Sequence, residues 1–403
     1  MTPDPFAPAE LGPITLRNRI IKAATFEGVV PDGLVTDELI DYHRRVVEGG
    51  VGLSTVAYLA VSAEGRTHAE CIWLRDEAVP GLTRLADAIH DHGAAASAQI
   101  GHAGPVANSR SNGSPSIAPS KQFNPLALRM IRAATTTDLT RVTRAYERGA
   151  AMIAKSGFDA IEVHLGHNYL LSAFLSRRLN KRTDGWGGSI ESRARFPRQV
   201  VRAVRAGAGA DVAVTVKLNM DDGLPGGLKL DESIEVAQML EADGVVDALA
   251  LTGGSSFGNP MYLFRGDAPR DEFAATLPAW ARLGFKLGGE KLMPEYPFEE
   301  AFFRPMALEV MAAVDIPLIL LGGINRRDTI DQAMRDGFAF VAMARALLRE
   351  PDLVHKLQAG DQDEGLCIHC NRCMPTIYSG TRCVIIDPDP IVVSTPSRSG
   401  RVL

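Results

Sequence analysis

The amino-acid sequence predicts an α/β protein, a closed (β/α)₈ TIM barrel of parallel strands. Short apolar, β-branched segments alternate with amphipathic segments along the chain. This alternation requires parallel pairing, because each helical crossover returns the chain to the same end of the sheet. A length of 403 residues accommodates one barrel with insertions. An open doubly wound sheet is the alternative, but no G-x-G-x-x-G run follows any predicted strand.

Hydrophobic periodicity places each element of the barrel in turn. Strands are expected at residues 19–24, 53–58, 94–100, 160–164, 212–218, 248–252, 317–321 and 340–342. Helices are expected at residues 36–48, 79–92, 137–155, 190–206, 231–241, 306–313 and 327–335. We therefore predict a barrel domain over residues 1–360 and a cysteine-containing tail over residues 361–403.

A long connection, residues 254–304, follows the sixth predicted strand and does not fit the repeat. Its many aromatic residues argue against disorder; they are Phe257, Tyr262, Phe264, Trp280, Phe285, Tyr296, Phe298, Phe302 and Phe303. Long connections of this kind are often functional lids. A small packed subdomain or an oligomer contact is the alternative. The last ten residues, STPSRSGRVL, are expected to be flexible.

Composition excludes several classes of function. A net charge of −5 argues against a nucleic acid or an anionic membrane surface as the main partner. No apolar run is long enough to span a bilayer, and the N-terminus lacks a signal-peptide pattern. We therefore expect a soluble, cytoplasmic protein that acts on a small molecule. The oligomeric state stays open, with a homo-oligomer among the options.

Polar and glycine residues gather after the predicted strands, where a barrel of this kind builds its active site. They include Thr25, Phe26, Gln99, His102, His164, His167, Tyr169, Lys217, Asn219, Thr252, Gly322, Gly323, Ala344 and Arg345. Barrels commonly bind phosphate after strands seven and eight. Gly322 and Gly323 let the backbone approach an anion, and Arg345 adds a charged donor. A plain tight turn is the alternative for the glycine pair, and we favour phosphate.

The pattern His164-x-x-His167-x-Tyr169 is a second constellation. Two imidazoles at one rim can donate hydrogen bonds to a carbonyl oxygen or an anion, and the tyrosine can deliver a proton. A zinc pair is one alternative, but the usual motif needs histidines at i and i+4 with a glutamate between them. A pair of structural histidines is the other.

The run GFDAIEVHLGHNYLLSAFLSRRLNKRTDGWGGSIESRARF, residues 157–196, resembles the old yellow enzyme family of FMN-dependent reductases. Further matches are LRNRIIKAA (16–24), SAQIGHAG (97–104), LLGGI (320–324) and MARALL (343–348). The resemblance covers roughly residues 5–360. It implies that His164 and His167 hold the carbonyl oxygen of an enone substrate and that Tyr169 protonates its Cα.

The resemblance also implies how FMN is held. Gln99 would bond the flavin pyrimidine edge, and Lys217 stands where the family has arginine near flavin N1 and O2. The phosphate-binding turns match Gly322, Gly323, Ala344 and Arg345, with Ala344 in place of the usual glycine. The family position that carries Thr or Cys against flavin O4 aligns with Phe26, or with Thr25 after a one-residue slip.

The function implied is reduction of the C=C bond of an α,β-unsaturated carbonyl compound by NAD(P)H through FMN. Two alternatives stay open. One is an FMN dehydrogenase, with or without an iron–sulfur cluster, that oxidises an amine or another reduced substrate. The other is a barrel that binds flavin without turnover. The sequence does not decide the natural enone or the choice between NADH and NADPH.

Cys367, Cys370 and Cys373, followed by Cys383, have spacings that hold iron–sulfur clusters or zinc. The stretch LCIHCNRCM resembles the segment that binds a 4Fe-4S cluster in the dienoyl-CoA reductases and trimethylamine dehydrogenase. A cluster, a structural zinc and a former site with free thiols are the three alternatives. Cys71 is expected in the core.

Overall fold

The computed structural model of the protein describes residues 2–124, 128–256, 258–277 and 279–393. In this part of the chain the strands are β1 (Ala9–Leu11), β2 (Ile14–Leu16), β3 (Ile20–Phe26), β4 (Leu53–Ala60), β5 (Ala95–Gly101), β6 (Ile117–Ala118), β7 (Gln122–Asn124), β8 (Arg129–Ala133), β9 (Ala160–Leu165), β10 (Ala213–Asn219), β11 (Ala248–Thr252), β12 (Leu318–Leu321) and β13 (Phe340–Met343). The helices are α1 (Asp37–Glu48), α2 (Val79–His90), α3 (Thr136–Lys155), α4 (Leu170–Leu175), α5 (Ile190–Ala208), α6 (Leu230–Ala242), α7 (Arg270–Thr276), α8 (Ala279–Leu292), α9 (Arg304–Met311), α10 (Arg327–Asp336), α11 (Arg345–Arg349) and α12 (Leu353–Ala359).

The predicted (β/α)₈ barrel is confirmed. β3, β4, β5, β9, β10, β11, β12 and β13 pair in parallel in that order, and β13 returns to β3 to close the barrel. Each barrel strand falls close to its predicted residues, because buried parallel strands are continuous apolar runs. All the polar turns that follow these strands therefore meet at one rim.

Helix starts follow local capping signals. Thr36 accepts a hydrogen bond from the Leu39 N–H at the start of α1. At α3, Thr135 and Asp138 form a capping box, and Arg132 pairs with the Asp138 carboxylate. The apolar faces of these helices pack on the outside of the barrel and form one continuous core with its strands.

Short elements were not predicted from the sequence. They are the antiparallel pair β1–β2 at the start of the chain, the small sheet β6–β8–β7 after β5, and the six-residue helix α4. Strands of two or three residues carry too few side chains for a periodic pattern to be read.

The connection of residues 254–304 folds around a small cluster of its own. Met261, Ala274, Phe285 and Met293 are buried together between α7 and α8. This favours the packed subdomain over a structureless loop, and a lid function stays a prediction. Of the aromatics named above, Phe257 lies outside the described residues, as does the side chain of Trp280.

The described part of the tail, residues 361–393, lies on the rim of the barrel. The Gly365 N–H donates to the Asn325 carbonyl at 2.8 Å, after β12. The Thr381 N–H donates to the Glu27 carbonyl at 2.8 Å, after β3. The tail thus spans the ends of two barrel strands, and a domain boundary at residue 360 stays a prediction. The final stretch, residues 394–403, lies outside the described residues. None of the described helices has the length and apolar character needed to cross a membrane.

Candidate active site

Adjacent strands bring the predicted rim residues together inside the barrel. Lys217 on β10 pairs in register with His164 on β9, and Gln99 on β5 pairs with Glu162 on β9. The side chains of Gln99, His164 and Lys217 are almost fully buried. Because residues two apart on a strand face the same side, Glu162 points to the same face as His164.

Glu162 is a site residue that the sequence analysis missed. Its Oε1 accepts a hydrogen bond from Gln99 Nε2 at 2.7 Å and pairs with Lys217 Nζ at 2.9 Å. One carboxylate oxygen therefore holds both side chains that the resemblance places against flavin. Its position two residues before His164, as a charge inside an apolar strand, was the signal available in the sequence.

The two histidines lie side by side and are neutral. Their ring centroids are 5.0 Å apart. Burial, and after it the charge of Lys217, lowers the pKa of His167 to about 3. Burial, His167 and Lys217 hold the pKa of His164 well below its usual value. Neutral imidazoles each donate one hydrogen bond, and His164 Nδ1 is buried with no partner among the described residues.

Tyr169 stands beside the histidines, as the sequence motif requires. Its ring is 4.6 Å from the His164 ring and 5.3 Å from the Tyr58 ring, edge-on to both. His167 is fixed by its Nε2, which lies 3.1 Å from Thr252 Oγ1, and by its backbone N–H, which donates to Asn219 Oδ1 at 3.1 Å. The motif therefore presents two imidazoles and one phenol to a common space.

Thr25 and Phe26 are both half-buried at the end of β3. The Thr25 hydroxyl lies 3.5 Å from the Tyr42 hydroxyl. The Phe26 ring packs edge-on against the His68 ring at 5.2 Å. Of the two residues, Thr25 has a hydroxyl that could bond a flavin oxygen. We therefore prefer the alignment that is shifted by one residue and places Thr25 at this position.

The turn after β12 has the backbone that only glycine adopts easily. Gly322 and Gly323 have φ angles of 105° and 79°. A Cβ on Gly322 would lie 2.6 Å from the Phe303 ring, and one on Gly323 would lie 2.7 Å from the Phe302 ring. The chain therefore passes too close to these rings to carry a side chain at either position, and a phosphate-binding role for this turn stays a prediction.

The Arg345 guanidinium does not lie free at this turn. It donates to the Arg265 carbonyl at 2.8 Å and to Asn371 Oδ1 in the tail. It is also close enough to Cys367, Cys370 and Cys373 for their thiolate charges to raise its pKa, although burial lowers that pKa more. The Arg345 side chain thus bonds the tail in this structure. Phosphate contacts of Arg345 and of Ala344 stay predictions.

All four tail cysteines line one cavity. Cys367, Cys370, Cys373 and Cys383 share it with Arg345 and Arg349. The Nε and Nη1 atoms of Arg349 are buried without a partner among the described residues. No three described His, Cys, Asp or Glu side chains converge closely enough to hold a single metal ion. Cys71, in contrast, is fully buried in a second apolar cluster with Tyr58 and Ala103, so its predicted place in the core is confirmed.

FMN fits the rim by its chemistry. A glycine turn after β12 suits its phosphate, Gln99 offers an amide to the pyrimidine, and Lys217 offers a cation. The buried Nδ1 of His164 has no polar partner among the described residues, which leaves it able to bond a ligand. A barrel with this arrangement belongs to the class of flavin-dependent oxidoreductases.

Comparison with known proteins gives the family. Residues 4–252 match the NADH:flavin oxidoreductase / NADH oxidase family. The chain therefore belongs to that family, and it is an FMN-dependent oxidoreductase. The resemblance drawn from the sequence is confirmed.

Individual relatives differ in the length that they share with this chain. The 4,4'-dithiodibutanoate disulfide reductase of Rhodococcus erythropolis is 56% identical over 400 residues, which cover 99% of each chain. A multifunctional alkene reductase/demethylase of Caballeronia cordobensis is 29% identical over 91% of this chain but only 50% of its own length, so this chain spans about half of it. A solved 2-naphthoyl-CoA reductase superposes with a TM-score of 0.80 at 25% identity, over 96% of this chain and 57% of that one.

Proposed function

We propose that this protein uses NAD(P)H and FMN to reduce a small organic disulfide to two thiols. The observation that carries the proposal is the similarity to a disulfide reductase along the full length of both chains. The rim supports it, because neutral hydrogen-bond donors and a phenol lie together where an acceptor can be reduced.

The chain's own residues would hold FMN as follows. Gln99 and Lys217, both fixed by Glu162, would bind the pyrimidine edge, and Thr25 would bond the neighbouring oxygen. The turn at Gly322 and Gly323 would bind the phosphate. Bound FMN supplies two-electron chemistry, taking a hydride from NAD(P)H and passing it to the second substrate.

The acceptor would lie against His164, His167 and Tyr169. A hydride that adds to one sulfur of R–S–S–R breaks the S–S bond and gives one thiol and one thiolate. The imidazole N–H groups stabilise the negative charge on the leaving sulfur, and Tyr169 donates the proton that converts this thiolate to the second thiol. The balanced reaction consumes NAD(P)H, one proton and one disulfide.

An α,β-unsaturated carbonyl compound is the second candidate acceptor. Two neutral imidazoles 5.0 Å apart suit a single carbonyl oxygen that gains negative charge. Hydride would then reach Cβ, and Tyr169 would protonate Cα. The relative named as an alkene reductase supports this candidate.

We further propose that the four tail cysteines hold a 4Fe-4S cluster. All four thiols line one cavity, and their spacing in sequence is typical of cluster ligands. Arg345 and Arg349 supply positive charge to the same cavity, which suits the negative charge of a cluster bound by four thiolates.

The purified protein, reconstituted with FMN, tests the choice of acceptor. Oxidation of NADH and of NADPH is followed at 340 nm with 4,4'-dithiodibutanoate and with cyclohexenone, and thiol product is measured after bimane labelling. We expect kcat/KM to be higher for the disulfide, with two thiols formed per nicotinamide oxidised. A preference for the enone would make the second candidate the function. Failure of both acceptors would overturn both.

A further inference from the structure

A second buried ion pair lies at the rim, on the side of the barrel opposite Lys217. Lys22 on β3 and Glu27, which directly follows β3, approach to 3.3 Å between Nζ and Oε1. Their side chains are 3% and 4% exposed. β3 and β10 are separated by three strands in either direction around the barrel. Neither residue takes part in the reaction described above.

The ammonium group of Lys22 reaches up to the level of the rim. Besides pairing with Glu27, its Nζ donates a hydrogen bond to the Thr55 carbonyl at 3.0 Å. Thr55 precedes Val56 on β4, and Val56 pairs in register with Thr25. Nζ also lies 5.3 Å from the centre of the Tyr42 ring. Since the hydroxyl of that tyrosine is 3.5 Å from Thr25 Oγ1, Lys22 and Thr25 share one aromatic neighbour.

Glu27 is held rigidly by groups other than Lys22. Its Oε1 accepts a hydrogen bond from the Ala57 N–H at 3.1 Å and lies 3.1 Å from His43 Nε2. His43 Nδ1 lies 2.8 Å from the Ser54 hydroxyl, so the imidazole is held at both ends. Burial lowers the pKa of His43, which keeps it a neutral donor to the carboxylate. The negative partner of Lys22 therefore has a fixed position.

A buried ion pair inside the barrel is not explained by packing or by stability. The interior of a (β/α)₈ barrel is normally packed with layers of branched apolar side chains. A buried ion pair often stabilises a protein less than apolar side chains of the same volume. Buried charges concentrate instead at functional sites, where they act on a nearby group. Here the nearby group is the flavin, which gains negative charge on reduction.

We propose that Lys22 is a second cation at the flavin edge which, together with Lys217, sets the reduction potential of bound FMN. A fixed positive charge stabilises the reduced, more negative form and so raises the potential. Glu27 holds the ammonium group in place and moderates its effect. Lys22 is thus a positioning and tuning residue, and the inference rests on FMN as cofactor and is independent of which acceptor is natural.

The midpoint potential of the bound flavin tests this inference without any acceptor. It is measured anaerobically by spectroscopic titration against a reference dye in the wild type and in Lys22→Met, Lys22→Gln and Lys22→Arg. We expect lower potentials in the two neutral variants and a potential near the wild-type value in Lys22→Arg. Potentials of Lys22→Met and Lys22→Gln equal to that of the wild type would overturn the proposal.

Two controls separate charge from structure. Lys229 forms an exposed pair with Asp221 at 3.0 Å, so Lys229→Met should leave the potential unchanged; a fall as large as that of Lys22→Met would refute a local effect. The double variant K22M/E27Q leaves no unpaired buried charge and protects against misfolding. Its potential should lie above that of Lys22→Met, because the negative charge of Glu27 is also gone, and a potential no higher than that of Lys22→Met would show that Glu27 does not moderate the effect.

Discussion

The rim of the barrel and the cysteine tail are two sites built in opposite ways. Gln99, Glu162, His164 and Lys217 project from hydrogen-bonded strands and are almost fully buried. The tail cysteines are half-buried on irregular backbone, and His369 and Asn371 between them have φ angles of 58° and 55°. Hydrogen-bonded strands fix the positions of their side chains before a ligand binds. The geometry of an irregular loop depends on its few contacts and on the ligand itself.

The two regions rest mostly on separate contacts. The tail is attached through backbone contacts with Glu27 and Asn325 and through Asn371, which bonds Arg345. The hydrogen bonds that orient Gln99, His167 and Lys217, in contrast, all come from barrel residues and from Thr252 at the end of β11. We therefore expect changes in the tail to spare the rim.

The largest effect is expected at the rim. Tyr169→Phe should slow oxidation of the reduced protein by its acceptor by about 100-fold or more, because the acceptor loses its proton donor. Reduction of the oxidised protein by NAD(P)H needs no such proton and should change little. Stopped-flow absorbance of each half-reaction measures both rates. Equal losses in the two half-reactions would contradict the role given to Tyr169.

Removing one tail thiol tests whether the tail and the rim bind their cofactors independently. Cys370→Ser should abolish most of the iron bound per chain, because a cluster needs its four thiolates. FMN content should stay at the wild-type level, since the rim has its own supports. Iron analysis and flavin absorbance report the two outcomes. Cys71→Ser is the matched control, since that thiol is buried in an apolar cluster with Tyr58 and Ala103, and this variant should keep its iron. Iron-free wild-type protein prepared anaerobically would contradict the cluster.

A smaller effect is expected from the carboxylate that orients the rim. Glu162→Gln should raise the dissociation constant of FMN about tenfold, because a charged hydrogen bond that fixes Gln99 and Lys217 is lost. Titration of the apoprotein, followed by quenching of flavin fluorescence, measures it. Glu241, whose Oε1 accepts backbone hydrogen bonds before β12, is a matched carboxylate at the other end of the barrel. Equal effects of Glu162→Gln and Glu241→Gln would remove the special role of Glu162.

The smallest effect concerns pH. The pKa of His167 is lowered to about 3 and that of His164 is also lowered, so both imidazoles gain protons only in acid. Acceptor reduction should therefore show no histidine titration between about pH 5 and 8. The pH profile of the oxidative half-reaction measures this. A change in rate near the usual pKa of histidine would mean that one imidazole is protonated in that range and that the site is more hydrated than its burial indicates.

Sequence reasoning succeeded where a local pattern carries the information. The barrel strands and most of the helices between them were placed correctly, because apolar runs and helical periodicity are local properties. The turns at Gly322 and His164 were located because strand ends in a barrel meet at one rim. The short pair β1–β2 was missed because three-residue strands carry too few side chains for a periodic pattern. The helices α7 and α8 were missed because they lie within the long connection that does not follow the β/α repeat.

The unpredicted part of the site consists of contacts between residues far apart in sequence. Glu162 accepts a hydrogen bond from Gln99, which lies 63 residues away in sequence. Arg345 bonds Asn371 in the tail and not the neighbouring glycine turn. In the sequence, Lys22 and Glu27 are five residues apart, and nothing in their spacing marks them as a pair. What makes them a pair at the rim is burial, and burial is a property of the closed barrel.

The sequence by itself determined the order of strands, the residues that end each strand and the spacing of the cysteines. Only the tertiary structure decided which of these side chains meet. Examples are the carboxylate shared by Gln99 and Lys217, the cavity common to four thiols, and the buried pair of Lys22 and Glu27. The physical reason is that strand and turn preferences act over a few neighbouring residues. The pairing of buried charges is fixed when the eighth strand closes on the first.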